Sequence, residues 1–334
     1  MRHSRPNKTK KNGDEGMRKS FILMGIYGLL IAGAALAQAN LPYWAYPVPK
    51  TAGAAPKLDN SALKGLPGTK VRFTEAGVND RFNVPDWYPK DHPPAPPIVL
   101  HGRKPNVFAC GYCHLPNGQG RPENASLAGQ PADYIVQQVA DMRKGLRKSS
   151  TDKMGSINAM MGVAKASNDA EVRIAADYFS KLRFRKWIRV VETDTVPKTQ
   201  ISSHNMLIKA GSGREPIGMR IIEMPENLDR IELRDPRTGF VAYVPKGAIA
   251  RGKRLVESGA GAFPCAACHG PGYKGNGAVP ALAGRSPSEL VRQLYDFKSG
   301  SRNGDGAAMM KPEVANITDP MRLDIAAYLA SLDP

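Results

Sequence analysis

The chain has 334 residues, 42% of them hydrophobic, with 33 Gly, 28 Pro and a formal net charge of +17. That length is too great for one undivided core and suits two or three small domains, while the composition excludes a disordered chain and one embedded throughout in a membrane. The basic balance points to acidic protein partners reached by electrostatic steering rather than to nucleic acid, and no phosphate loop, nucleophile elbow or metalloprotease motif is present.

At the N-terminus, Arg18 and Lys19 precede an apolar run from Phe21 to Ala37 that ends in Ala-x-Ala sites. This predicts a signal peptide over residues 1–39, cleaved after Ala37 or Ala39, and so an exported, periplasmic protein. The competing reading is an uncleaved membrane anchor, although the run falls slightly short of a span. The first 39 residues hold seven Lys/Arg against two Asp/Glu, a surplus of five that leaves +12 on the remainder. Residues 40–100 form a Pro-rich extension with little expected regular structure, as in Pro93-Pro94-Ala95-Pro96-Pro97.

All four cysteines fall in two Cys-x-x-Cys-His motifs: Cys110, Cys113 and His114, then Cys265, Cys268 and His269. In an exported chain, paired cysteines otherwise become disulfides, redox pairs or zinc ligands. A His directly after each pair is instead the pattern for covalent haem attachment: two thiols reach both vinyl groups of one haem, and the His becomes an axial ligand. Two covalently bound haem c groups are therefore expected.

The motifs stand 155 positions apart, and the same offset pairs Leu127-Ala128-Gly129 with Leu282-Ala283-Gly284. It also pairs Val136 with Val291, Gln138 with Gln293, Asp141 with Asp296, Gly145 with Gly300 and Arg147 with Arg302. This is a duplicated domain. A longer loop around Lys148 to Met154 then reduces the offset to 150, so that Met160 pairs with Met310 and Tyr178 with Tyr328. Closing helices are predicted over 170–182 and 320–332, with Asp169 and Asp319 at the N-cap or in the first turn.

The two haem-motif copies are thus placed at 101–187 and 249–334. Between them, 188–248 reads as a small β-rich insert, with short strands at 188–191, 206–208, 219–222, 231–233 and 240–244 and a turn over Asp235 to Gly239. The iron's second axial position needs a further donor, and a Met thioether raises the potential. Met160 and Met310 are the candidates because they match between copies. Met161, Met154 and His101 compete with Met160 in the first copy.

Taken together, Cys-x-x-Cys-His-Gly, Leu282-Ala283-Gly284, Gln293-Leu294-x-Asp296-Phe297-Lys298-x-Gly300, the late Met310 and the final Ala326-Ala327-Tyr328-Leu329-Ala330-Ser331-Leu332 helix resemble class I cytochromes c of the tandem dihaem, c4-like type. The resemblance implies a mainly α fold of two cytochrome c domains in tandem, His/Met axial ligation by His114, Met160, His269 and Met310, and periplasmic electron carriage. It also implies that the carbonyl of Pro280 orients His269. The first copy departs from the pattern at Ala125, Leu115 and Pro105, and the middle segment is foreign to the compact tandem family.

The expected function is electron transfer between redox proteins with acidic docking surfaces, as a free carrier or as the relay subunit of a dehydrogenase or oxidase, with no catalytic residue. The basic run Lys181, Arg183, Arg185, Lys186 and Arg189, with Phe184 and Trp187 interleaved, is a candidate docking surface. The rival readings are a dihaem peroxidase, which needs one exchangeable iron site, and a dihaem thiosulfate dehydrogenase, which commonly uses a Cys axial ligand that this chain lacks.

Overall fold

The structure, a computed structural model, describes residues 1, 3, 41–49 and 58–334; the expected signal segment lies outside the described residues. The elements below belong to the unit Pro42–Pro334. Among the described residues, no helix is long and apolar enough to cross a membrane.

Before the first motif stand two four-residue helices, α1 (Glu75–Val78) and α2 (Pro97–Leu100). A small core of Leu66, Val78, Trp87 and Tyr88, joined by Leu233, holds this segment against the middle of the chain. Farther upstream, Trp44, Ala45 and Tyr46 are buried. The Tyr46 hydroxyl shares its one proton between the Arg292 carbonyl at 3.2 Å and Asp296 Oδ1 at 3.1 Å.

The first motif forms α3 (Cys110–His114) and is followed by α4 (Ala132–Arg143), α5 (Gly155–Ala166) and α6 (Asp169–Ser180). Helix α4 carries Asp133 in its first turn and Arg143 in its last, matching the helix dipole. In α6, Asn168 and Glu171 close a capping box, and Val172, Ala175, Ala176 and Phe179 recur at one-face spacing and are buried. The N-cap is thus Asn168, with Asp169 in the first turn.

The second copy repeats the order with α8 (Ala248–Ser258), α9 (Ala266–His269), α10 (Pro287–Lys298), α11 (Ala307–Ala315) and α12 (Asp319–Ser331). Ser286 caps α10 and Thr318 caps α12, each with Pro in the first turn, where a missing N–H costs nothing. The Leu-Ala-Gly segments tie to the closing helices in the same way: Gly129 N donates to Phe179 O at 3.1 Å, and Gly284 N to Leu329 O at 2.9 Å. The copies differ at their N-terminal helix. Helix α8 packs along α12, with Gly252 at the crossing, whereas its counterpart α2 stops after one turn, where Gly102 takes φ +60°.

Between the copies lie β1 (Ile188–Thr193), β2 (Thr195–Ile201), β3 (Leu207–Pro216), β4 (Ile222–Pro225), the helix α7 (Leu228–Glu232) and β5 (Phe240–Pro245). Strand β5 is central, parallel to β1 and antiparallel to β4, while β2 and β3 form a separate hairpin. Residues 231–233, which read as a strand, instead end α7: the Asn227 side chain accepts from Arg230 N and caps a helical turn, leaving Ile231 as its one buried residue. The turn over Asp235 to Gly239 therefore joins a helix to β5. Strand β2 escaped detection because Pro197 interrupts its pattern and only Val196 is fully buried.

Candidate haem sites

Helix α3 buries His114, and its Nδ1 donates to the Ala125 carbonyl at 2.7 Å. The same bond occurs in α9, where His269 Nδ1 donates to the Pro280 carbonyl at 2.8 Å. Donation from Nδ1 leaves Nε2 with its lone pair free for a metal and holds the ring orientation. Ala125 thus supplies the acceptor that Pro280 supplies in the second copy: only a backbone carbonyl is needed, and the substitution costs nothing there. Burial lowers the pKa of both rings, keeping the imidazoles neutral.

The residue after each motif shows how the first copy tolerates its second departure. Gly270 has φ 76° and ψ 171°, a region nearly exclusive to glycine, and Leu115 adopts φ 62° and ψ 152° while fully buried. The backbone path is the same, held in the first copy by the packing of Leu115 against the interior.

Beside His114 opens an apolar-lined cavity of about 1490 Å³, counting its mouth. Cys110, Cys113, His114 and Met160 all line it, with Ile98 and Val139 among the apolar walls. Of the competing donors, Met161, Met154 and His101 do not line this cavity; Met154 is fully buried elsewhere and His101 is exposed. Met142 does line it, a thioether that the repeat did not flag because Phe297 stands at its matching position. Burial pushes the Cys110 thiol up to about 12 and the Cys265 thiol up to about 11. Two sulfurs, a neutral imidazole with its outer nitrogen fixed, a thioether and an apolar cleft together fit a covalently bound haem.

In the second copy, His269 is buried, Cys265 half-buried and Cys268 exposed. Met310 is half-buried on α11 beside the exposed Met309, and Phe263 is also exposed. The first motif is more enclosed. Tyr112 packs under Arg234, which lies 3.7 Å from the ring centroid and donates to the Tyr112 carbonyl at 2.6 Å. Arg121 and Glu123 form a buried ion pair at 2.8 Å close by.

Between the copies, Arg147 and Arg302 meet in an antiparallel bridge. The Gln138 side-chain oxygen accepts from Arg147 at 3.0 Å and from Arg302 at 2.8 Å, while Gln293 accepts from Arg302 at 2.9 Å. Four residues noted only for their matched register thus form one near-symmetric joint. Of the basic run, Lys186 pairs with Asp333 and Arg189 with Glu226, while Phe184 is buried under Arg285.

The helical order and the motif geometry define a class I c-type cytochrome, an electron-transfer protein with covalently bound haem. The family model described as "Cytochrome c" matches residues 249–333. The chain is 31% identical over 216 residues to a cytochrome c4 from Stutzerimonas stutzeri, covering 63% of this chain and 77% of that protein. It is 27% identical over 244 residues to a thiosulfate dehydrogenase electron acceptor from Thiomonas intermedia (strain K12), covering 71% of this chain and 84% of that one. A crystal structure of reduced recombinant cytochrome c4 from Pseudomonas stutzeri aligns with a TM-score of 0.44 at 21% identity, over 68% of this chain and 94% of that one. The chain belongs to the c4-like cytochromes c.

Proposed function

We propose that the chain is a periplasmic dihaem cytochrome that carries single electrons between redox partner proteins. Cys110, Cys113, His114 and Met160 would hold one haem, and Cys265, Cys268, His269 and Met310 the other. In this reading residues 101–187 and 249–334 are the two haem domains, 188–248 is a β-rich insert, and 1–39 is removed on export. The observation that carries the reading is the matched pair of His–carbonyl bonds, His114 to Ala125 and His269 to Pro280, each directly after a Cys-x-x-Cys pair.

Bound haem iron supplies the one-electron couple. Ala125 and Pro280 hold the two imidazoles with Nε2 left free to bind a metal, and a Met thioether as a further ligand would favour the ferrous state. The apolar walls of the first cavity, Ile98 and Val139 among them, would keep water from a ring bound there. A mainly basic surface favours donors and acceptors with acidic faces, and the relative named as a thiosulfate dehydrogenase electron acceptor supports a dehydrogenase as donor. The test is the mass of the exported chain together with its oxidised and reduced spectra. Two covalent haems, a long-wavelength ferric Met band at two-site intensity and no response to peroxide are expected. One missing haem overturns the dihaem reading, and a half-strength Met band with a peroxide-responsive iron moves the chain to the peroxidases.

A further inference from the structure

We propose that Arg234, carried by the segment between α7 and β5, holds the reduction potential of the first haem above that of the second, so that the first electron to enter the chain rests in the first copy. This inference rests on the dihaem reading above.

Arg234 is only 4% exposed. Its Nε donates to the Val78 carbonyl at 3.0 Å and one terminal nitrogen to the Tyr112 carbonyl at 2.6 Å, while the guanidinium lies over the Tyr112 ring. Tyr112 sits between the two cysteines of the first motif. Among the described residues no carboxylate lies within ion-pair distance of Arg234. It is therefore a buried cation with no carboxylate in direct contact. Its neighbour Arg121 is not, because Glu123 pairs with it at 2.8 Å. Arg234 also holds a positive φ of 57°, a backbone conformation that costs energy outside glycine and persists only where the surroundings impose it.

Among the described residues, no arginine sits on the second motif as Arg234 sits on Tyr112. Ala267, Asn276 and Ala278 stand where Tyr112, Arg121 and Glu123 stand in the first copy, and Cys268 is exposed where Cys113 is half-buried. The sign follows from charge. The ferric state of a haem carries one more positive charge than the ferrous state. A buried cation beside the attachment motif, seated on Tyr112 and close to Cys113, and the greater enclosure of that motif both disfavour that extra charge, and both raise the potential. Arg147 and Arg302 act alike on His114 and His269, so they cancel between the copies, whereas Arg234 and the greater enclosure act on the first copy. An electron given up by a one-electron donor, itself oxidised by one electron, then settles in the first copy, and no proton need move with it.

The test is a spectroelectrochemical titration of the full exported chain, with the haem count taken from its mass, on the wild type, Arg234→Gln, Arg234→Lys and Glu123→Gln. The wild type shows two one-electron waves. Arg234→Gln moves the upper wave down by about tenfold in the reduction equilibrium, about 59 mV for one electron, and Arg234→Lys restores most of it. Glu123→Gln, which leaves Arg121 uncompensated, moves the same wave up. A wave pair unmoved by Arg234→Gln, a shift of the lower wave instead, or shifts of one sign in Arg234→Gln and Glu123→Gln overturns the proposal. If Arg234→Gln fails to load haem, Glu123→Gln decides alone, an upward shift of the upper wave supporting the proposal and no shift overturning it. A wild-type mass with fewer than two haems overturns the dihaem reading itself, and this proposal with it.

Discussion

Two interior helical glycines make opposite predictions for the same substitution. Gly252 lies where α8 crosses α12, and a Cβ there would stand 1.9 Å from the Asp324 carbonyl oxygen, 2.6 Å from its carbon and 2.8 Å from Tyr328 Cβ. Two of those three atoms are backbone, so no rotamer change relieves the contact and the helices must separate by more than an ångström. Overpacking of this kind costs about 1–3 kcal/mol, and backbone contacts put Gly252→Ala at the upper end. Set against the ~1 kcal/mol that alanine gains over glycine in a helix, the net loss is about 2 kcal/mol. Gly162, exposed within α5, has nothing within 4 Å of the same built atom. There only the propensity term acts, and Gly162→Ala stabilises by about 0.5–1 kcal/mol. Urea unfolding of the haem-loaded protein, followed by far-ultraviolet circular dichroism, measures both. A neutral or stabilising Gly252→Ala, or two shifts of the same sign, refutes the reasoning.

Leu115 inverts a usual order: Leu115→Ala keeps the unfavourable φ and leaves a cavity, whereas Leu115→Gly leaves the larger cavity but releases about 1–3 kcal/mol of backbone strain. The glycine variant is therefore the more stable of the two in urea unfolding. Burial opposes the charge of His92, but the Asp86 carboxylate 3.3 Å away and the Pro93 carbonyl outweigh it and raise its pKa. A raised histidine contributes stability that is complete below its unfolded value near 6.5 and is lost as pH rises through the folded value. The melting temperature of the wild type accordingly falls more steeply than that of His92→Asn on raising the pH from 6 upward, in melts at matched ionic strength. Tyr46→Phe removes the shared hydrogen bond that pins residues 42–47 to α10 and costs about 1 kcal/mol, read as a lower urea midpoint with unchanged haem spectra.

Much of the site was legible because its chemistry is local. Two thiols and a His at fixed spacing, and a carbonyl eleven residues after each His, need only short stretches of chain. The repeat register aligns them even where Ala125 replaces Pro280. Which methionine lines the cavity beside His114 was not legible to the same degree. Met160 and Met161 are adjacent on α5, about 100° apart around the helix axis, and only the packed structure shows which one lines the cavity.

The sequence by itself determined the attachment motifs, the internal duplication, the capped closing helices and the family, since each is written in residue type and spacing along the chain. The tertiary structure decided the placement of β5 between β1 and β4, the helical turn at 228–232, the Arg147–Arg302 joint and the seating of Arg234 on Tyr112, 122 positions away. These depend on contacts between residues far apart in the chain that carry no periodic pattern. A lone arginine before a turn looks like any solvated charge until folding buries it against the first motif.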